Sequence, residues 1–311
     1  MNEAARSRRE LWIRKLLYPG HTLPTATAPA AVAAGLAIHN HVFAAIPALV
    51  ALLAGWCIQV GGVLTDNREN LIEAPDDREH PELVRALREG TLTLSGLTAA
   101  IGACYALALL AGAYLLHVAG PAVLVIGLLS IGASWFYSAG PLPLGKLGVA
   151  DPLFFTFFGI VSVAGIYYVQ AAAGGTSLPS DALPLPAIAL GLSVGALTTN
   201  ILVIDDIRDR EFDVTKGKRT VAVRFGKQWS RAEFAALLSF SYAAPFWYWG
   251  GLGFSAWVLL PLLTLPWAVS TARAVFTRDR HEELVPVTPM AGRLLLAYSV
   301  LLGAGAAIRA G

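Results

Sequence analysis

Charge is what this chain has least of. Asp, Glu, Lys and Arg make up 14% of its 311 residues against 56% hydrophobic residues, which argues against the two soluble domains that length alone would suggest. A mean hydropathy of +0.59 agrees. Strand-like alternation is missing too: the apolar residues come in long unbroken runs, which excludes a membrane β-barrel. Cysteine is nearly absent, and Cys57 and Cys104 fall inside apolar runs without C-x-x-C spacing. Neither a disulfide framework nor a thiolate metal site is expected of them. No small-residue cleavage site follows the basic stretch Arg6, Arg8, Arg9, Arg14 and Lys15, so residues 1–22 are expected to stay as a tail, not to leave as a signal peptide.

What is present is a series of apolar segments, each about the 20 residues that one helix needs to cross hydrocarbon. They fall near 23–39, 41–63, 93–117, 120–138, 152–172, 185–204, 232–249, 252–270 and 291–308. Lipid offers backbone polar groups no hydrogen-bond partner, so the spans must be helices. The expectation is an all-α, multi-pass transmembrane helical bundle of about nine helices, in one domain over 23–311. The first span contains Pro24 and Pro29, and the seventh and eighth are parted only by Gly250, Gly251 and Gly253.

Basic residues are missing from one side altogether. With the N-terminal tail inside, the cytoplasmic segments are that tail, 64–92, 139–151, 205–231 and 271–290 with its flank; counting Arg293 they hold 22 of the 23 Lys and Arg, leaving Arg309 outside. This bias orients the chain in the cell membrane with tail and long loops cytoplasmic. Topology therefore explains most of the positive charge, and a nucleic-acid partner is not expected.

Two of these loops, 64–92 and 205–231, are long and acidic as well as basic. The first reads T-D-N-R-E-N-L-I-E-A-P-D-D-R-E-H-P-E, then a short helical stretch after Pro81 that ends at Gly90. The second reads D-D-I-R-D-R-E-F-D-V-T-K-G-K-R-T-V-A-V-R-F-G. If the sixth helix continues past Asn200, then Asp205, Asp206, Asp209 and Asp213 share a face by their spacing of three and four. Asp66, Asn67, Asn70 and Glu73 form a similar stripe, with Asp76 and Asp77 beyond Pro75. Oxygen donors of this kind suit Mg²⁺, which takes one or two carboxylates and fills its shell with phosphate and water. The interleaved Arg68, Arg78, Arg208, Lys216, Lys218 and Arg219 suit phosphate oxygens. Acid and base together at two helix mouths point to a metal-bound diphosphate; the plainer alternative is a solvated charged face.

At these residues the chain resembles the UbiA superfamily of intramembrane prenyltransferases. The second loop is similar to the family's second aspartate motif, N-N-x-R-D-x-x-x-D with a trailing G-K-R-T-x-A-V-R-x-G. Three further stretches resemble the branch that prenylates 1,4-dihydroxy-2-naphthoate in menaquinone synthesis: H-T-L-P-T-A-T-A-P from His21 to Pro29, the run from Tyr137 to Asp151 with the later Y-Y-V-Q, and L-V-P-V-T-P-M-A-G-R-L-L-L. One departure stands out. Where the family's first motif reads N-D-x-x-D with a later Asp, the aligned positions here are Asp66, Asn67, Asn70 and Asp76. Amides stand where acids are usual. Lys146 also stands where the branch usually has an aromatic residue.

The resemblance implies Mg²⁺-dependent transfer of a polyprenyl group from an isoprenyl diphosphate to an aromatic acceptor, with lipid around the bundle. Asp66, Asn67, Asn70 and Asp76 would hold one ion, and Asp209 and Asp213, helped by Asp206 and Asp205, another. Arg68, Arg78, Lys216, Lys218 and Arg219 would contact diphosphate. Tyr137 is either a diphosphate donor or an interfacial anchor, and Lys146 either a diphosphate contact or one more cytoplasmic lysine. Asn200, within the sixth span, either orients the acceptor or cross-links helices. Phe246, Trp247, Tyr248 and Trp249 read as an interfacial belt. His39, His41 and His117 lie on the side opposite the acids, so a shared metal site among them is not expected. Other acceptors, terpene cyclisation on the same scaffold, and a silent or transporting relative are the competing readings. A transporter would place its ionisable residues near the midplane; these acids cluster at one face.

Overall fold

The computed structural model describes residues 10–12, 16, 21–73, 80–141, 143–175 and 184–309. The described residues are helical and contain no strand. In chain order the helices are α1 Thr22–His39, α2 Ala45–Glu73, α3 Pro81–Arg88, α4 Leu94–Ala119, α5 Ala122–Ser138, α6 Ala150–Ala173, α7 Leu185–Thr215, α8 Val221–Phe225, α9 Lys227–Gly251, α10 Ala256–Thr277, α11 His281–Leu284 and α12 Val287–Ala307. Each of the nine expected spans falls on one of the longer helices. By length and composition, six helical stretches suffice to cross a membrane: α2, α4, α6, α7, α10 and α11 with α12. The other three are α5, which is shorter, α1, which carries Pro29, and α9, which carries Pro245. Two spans are irregular: α6 is π-helical over Phe155–Val161, and α10 opens as a 3₁₀ segment, Ala256–Thr264.

The bundle is built around α7, whose apolar stretch is 89% buried inside the protein, against 22% for α2 and 17% for α4. Close approach to α7 depends on missing side chains. A Cβ on Gly159 would stand 2.5 Å from Gly191 O, and one on Gly195 would stand 2.5 Å from Phe155 O, so α6 and α7 touch backbone to backbone. Likewise α1 meets α12 where a Cβ on Gly35 would lie 2.0 Å from Gly303 O. Outward faces carry Ile46, Leu49, Leu53, Leu107, Leu110, Val125 and Leu128, all exposed. In water such a belt would be a liability; against lipid it is the expected finish.

The aromatic run on α9 needs a correction. Phe246, Trp247 and Trp249 are exposed, consistent with a belt, but Tyr248 is fully buried, and its hydroxyl donates to Ala189 O at 2.8 Å and lies 2.6 Å from Ser193 Oγ. A helix turns 100° per residue, so four consecutive aromatics cannot all face lipid.

A second, smaller core lies beside the end of α2. There α3, strongly amphipathic, buries Leu83, Val84 and Ala86 with Leu64, Leu71, Leu92, Leu97 and Ile101 of its neighbours and Leu16. Pro81 starts α3, and Gly90, at φ +71°, follows its end.

Candidate active site

The helix carrying the second motif does run past Asn200, ending at Thr215. Its stop is a Schellman turn: Gly217, at φ +67°, sends its N–H to Val214 O, and Lys218 N–H returns to Asp213 O at 3.0 Å. That reversal folds the Lys218 side chain back on the acids, and Nζ lies 2.8 Å from Asp213 Oδ1. The loop then docks on the turn after α5, where Arg219 N–H donates to Lys146 O at 3.1 Å. At Gly148, itself at φ +76°, a Cβ would stand 2.5 Å from Arg219 O.

The four acids of α7 lie near one another but divide into two pairs. Asp205 and Asp209 face Arg208, whose guanidinium reaches both carboxylates; Nε to Asp209 Oδ1 is 2.7 Å, and NH1 to Thr288 Oγ1 is 3.0 Å. Thr288 also donates to Asp205 at 2.6 Å, and His281 Nδ1 lies 3.0 Å from Asp209 Oδ1. Asp213 turns instead toward Lys218, in whose field Asp206 also lies. Asp206 is buried in the field of Asp151, Asp213 and Lys218. Burial by itself would lower the pKa of Lys218; Asp213 and Asp66 outweigh it and hold the ammonium above its ordinary value.

The other half of the site is the end of α2. Asp66 accepts from Ser138 Oγ at 2.7 Å and from Asn70 Nδ2 at 3.1 Å. Lys216 Nζ reaches Asn70 Oδ1 at 3.4 Å, joining the two halves. One turn on, Glu73 pairs with Lys146. Tyr137, at the end of α5, has its ring centroid 5.5 Å from that of Phe154. Its hydroxyl lies within the field of Asp206, Lys218 and Asp66.

Not every expected residue joins this group. Arg68 faces α4, donating to Thr98 Oγ1 at 2.9 Å and pairing with Glu69. Asn67 is buried, and its amide nitrogen donates to Val63 O at 2.9 Å and to Leu16 O. The Arg219 side chain is exposed. Asn200 lies between α7 and α9: in the orientation that satisfies both amide atoms, it donates to Phe234 O and accepts from Leu238 N, each at 3.3 Å. Asp76, Asp77 and Arg78 lie outside the described residues.

Sequence reasoning missed Ser138, Thr288 and His281, which sit far along the chain from the carboxylates they contact. From the sequence Glu73 reads only as part of a stripe.

Among the described residues no three His, Cys, Asp or Glu side chains converge into a preformed metal cluster. The donor set still fits Mg²⁺: a few carboxylate and amide oxygens at each of two facing helix ends, cationic side chains among them, and a shell left for phosphate to complete. A site with Arg208 and Lys218 at its acids and Lys216 at the Asn70 amide fits an anion carrying that metal better than it fits a bare cation.

A profile of the UbiA prenyltransferase family matches residues 24–307. The chain belongs to this family. Its curated relatives include a 1,4-dihydroxy-2-naphthoate octaprenyltransferase of Mycobacterium tuberculosis, 30% identical over 285 residues, covering 90% of this chain and 91% of the relative. Another of the same name, from Escherichia coli, is 32% identical and covers 94% of this chain and 92% of its own. Among solved structures, a UbiA homolog from Aeropyrum pernix superposes with a TM-score of 0.69 at 18% identity, covering 94% of this chain and 97% of the homolog. One from Archaeoglobus fulgidus, bound to DMAPP and Mg²⁺, gives 0.59 at 17% identity, covering 92% and 97%. The fold is thus that of the UbiA family, and the chain is a multi-pass membrane prenyltransferase.

Proposed function

We propose that this UbiA-family protein transfers a polyprenyl group from an isoprenyl diphosphate to an aromatic acceptor, with 1,4-dihydroxy-2-naphthoate the first candidate, in a Mg²⁺-dependent reaction at the cytoplasmic face of the cell membrane. The observation that carries this reading is the meeting of two polar helix ends across Lys216 and Lys218, the first reaching Asn70 and the second Asp213. The named relatives supply the acceptor, and the Archaeoglobus homolog bound to DMAPP and Mg²⁺ supports the metal.

Alkylating an aromatic ring with an allylic diphosphate breaks a C–O bond as negative charge builds on the leaving group. Mg²⁺, when bound, supplies Lewis-acid stabilisation of that charge. Asp206, Asp209 and Asp213, with Asp205 behind Arg208, would hold it at the end of α7, and Asp66 and Asn70 at the end of α2. Lys216 and Lys218 sit where they share the diphosphate charge, and the Tyr137 hydroxyl can donate to it. Lys146 and Arg219 belong to the same cytoplasmic rim. The apolar bundle above keeps water from the allylic cation and takes the polyprenyl tail.

The test is turnover by purified protein in nanodiscs, with radiolabelled geranylgeranyl diphosphate, Mg²⁺, and dihydroxynaphthoate, hydroxybenzoate, homogentisate or no acceptor. Prenylated naphthoate that disappears with EDTA is the expected result. A cyclic hydrocarbon formed without acceptor would move the assignment to terpene cyclisation, and no turnover at all would favour a silent relative.

A further inference from the structure

Six residues inward of Asp206, roughly 9 Å along the helix at 1.5 Å per residue, the polar character of the bundle does not stop. Asp151, in the first turn of α6, is 8% exposed, and its Oδ1 is buried without a hydrogen-bond partner. Glu233, in the second turn of α9, likewise buries Oε2 without a partner. The two carboxylates lie on different helices but within electrostatic range of each other, and Asp151 is also within range of Asp206 and Tyr137. The helix contacts explain the layer. Phe155 of α6 lies against Gly195, and Phe234 and Leu238 of α9 lie against Asn200, so Asp151 and Glu233 flank α7 close to the level of Asn200.

A buried carboxylate left unpaired is costly unless a proton, a cation or a hydrogen-bond donor satisfies it. The acids of the diphosphate layer are offset by Arg208, Lys218 and His281; among the described residues these two have no cation in contact. They stand just inside the layer that would hold the diphosphate, on the side of the bundle interior.

We propose that Asp151 is the base that receives the hydroxyl proton of the aromatic acceptor, with Glu233 beside it orienting the ring through a second polar substituent. This rests on the prenyl-transfer reading above and adds the acceptor's side of it. Asp151 takes the phenolic proton as the oxygen's electron pair moves into the ring. The ring carbon bonds to the allylic carbon while the C–O bond breaks, and diphosphate leaves with that electron pair. The displaced substituent, a proton or the carbon dioxide of a carboxylate, departs as the ring is restored and the oxygen recovers its proton from Asp151. Asn200, its amide held between α7 and α9, supports this layer by fixing α9 instead of touching the acceptor.

The experiment compares wild type, Asp151→Asn, Asp151→Glu and Glu233→Gln in nanodiscs, reading prenyl transfer to hydroxylated aromatics and, separately, Mg²⁺-dependent binding of radiolabelled geranylgeranyl diphosphate. Loss of a positioned general base is worth about 10²–10⁴-fold, so Asp151→Asn should lose transfer by that factor while binding the diphosphate as wild type does. Asp151→Glu should recover part of the rate, and Glu233→Gln should mainly raise KM for the acceptor. Transfer by Asp151→Asn within threefold of wild type overturns the proposal, as does an equal loss of diphosphate binding by folded protein. Should the Asn variant fail to fold, wild type alone decides: the acceptor's O-methyl ether should not be prenylated, and transfer to it at the rate of the free hydroxyl overturns the assignment. Wild type that transfers to no hydroxylated aromatic removes the underlying reading itself, a separate outcome from an active Asp151→Asn.

Discussion

The polar ends of α2 and α7 carry similar residue types at similar spacing, yet they live in different surroundings. The apolar stretch of α7 is 89% buried and helices close around it, whereas that of α2 is 22% buried and faces lipid over most of its length. On α7, four carboxylates within nine residues are held in check by Arg208, Lys218 and His281, with Thr288 adding a hydroxyl. On α2 the only carboxylate among the first-motif positions described is Asp66, satisfied by a serine and an amide. Charge is concentrated where the protein can surround it with counter-charge and diluted where it cannot. The amides at Asn67 and Asn70 are the sequence trace of that difference: they keep oxygen donors while removing charge.

The largest effect should come from the buried end. Asp209→Ala is expected to lower prenyl transfer by roughly 10²–10³-fold, the scale seen when one electrostatic stabiliser of a developing anion is removed. Asn70→Ala at the other end should cost closer to about tenfold, as for residues that support a metal site from behind. Rates of purified variants in nanodiscs at saturating Mg²⁺ check both. Equal losses would erase the distinction between the two ends.

Next is stability. Arg208 is 15% exposed at its side chain and serves two carboxylates. Replacing it with Met leaves both without that cation, which costs about 3–5 kcal/mol in buried pairs. The variant should melt well below wild type in detergent, and added Mg²⁺ should recover part of the loss, since the metal supplies the missing positive charge to Asp205 and Asp209.

How much of this was readable in the chain depends on distance along it. Span positions, the continuation of α7 to Thr215 and the short helix after Pro81 follow from local periodicity and punctuation, and the structure has them. The gathering of acids at one end was legible for the same reason. Their division into an Arg208 pair and a Lys218 pair was not, because it depends on Thr288 and His281, far along the chain, and on where the Gly217 turn sends Lys218. Asp151 and Glu233 were invisible as a pair, since each is a lone acid at a helix entrance until α6 and α9 both pack on α7 and bring them into electrostatic range. The misreading of Tyr248 has a similar origin: composition marked an aromatic belt, and only the neighbouring helix decided which ring turns inward.

A third contrast is available by putting charge back. Asn70→Asp restores an acid to the α2 end, four residues from Asp66 and within reach of Lys216. Two carboxylates at that spacing repel in the metal-free protein, so the variant should be slightly less stable without Mg²⁺. With the ion present the added charge should strengthen the half-site, lowering the Mg²⁺ concentration for half-maximal rate by a few-fold. No change in the Mg²⁺ requirement would mean that the ion at this end is held by other donors.

The smallest effect belongs to the rim. Lys146 and Glu73 pair at 29% and 43% side-chain exposure, the setting in which an ion pair contributes about 0–1 kcal/mol. If Lys146 does no more than this, Lys146→Met and Glu73→Gln should lower the melting temperature by the same small amount and leave KM for the diphosphate unchanged. If Lys146 instead releases Glu73 to meet the incoming anion, the two variants part company. Lys146→Met then raises KM for the diphosphate, while Glu73→Gln, which frees the ammonium beforehand, leaves it equal or lowers it. The comparison of the two kinetic constants at fixed Mg²⁺ therefore separates a surface pair from a substrate contact, and it does so without relying on a stability change too small to interpret.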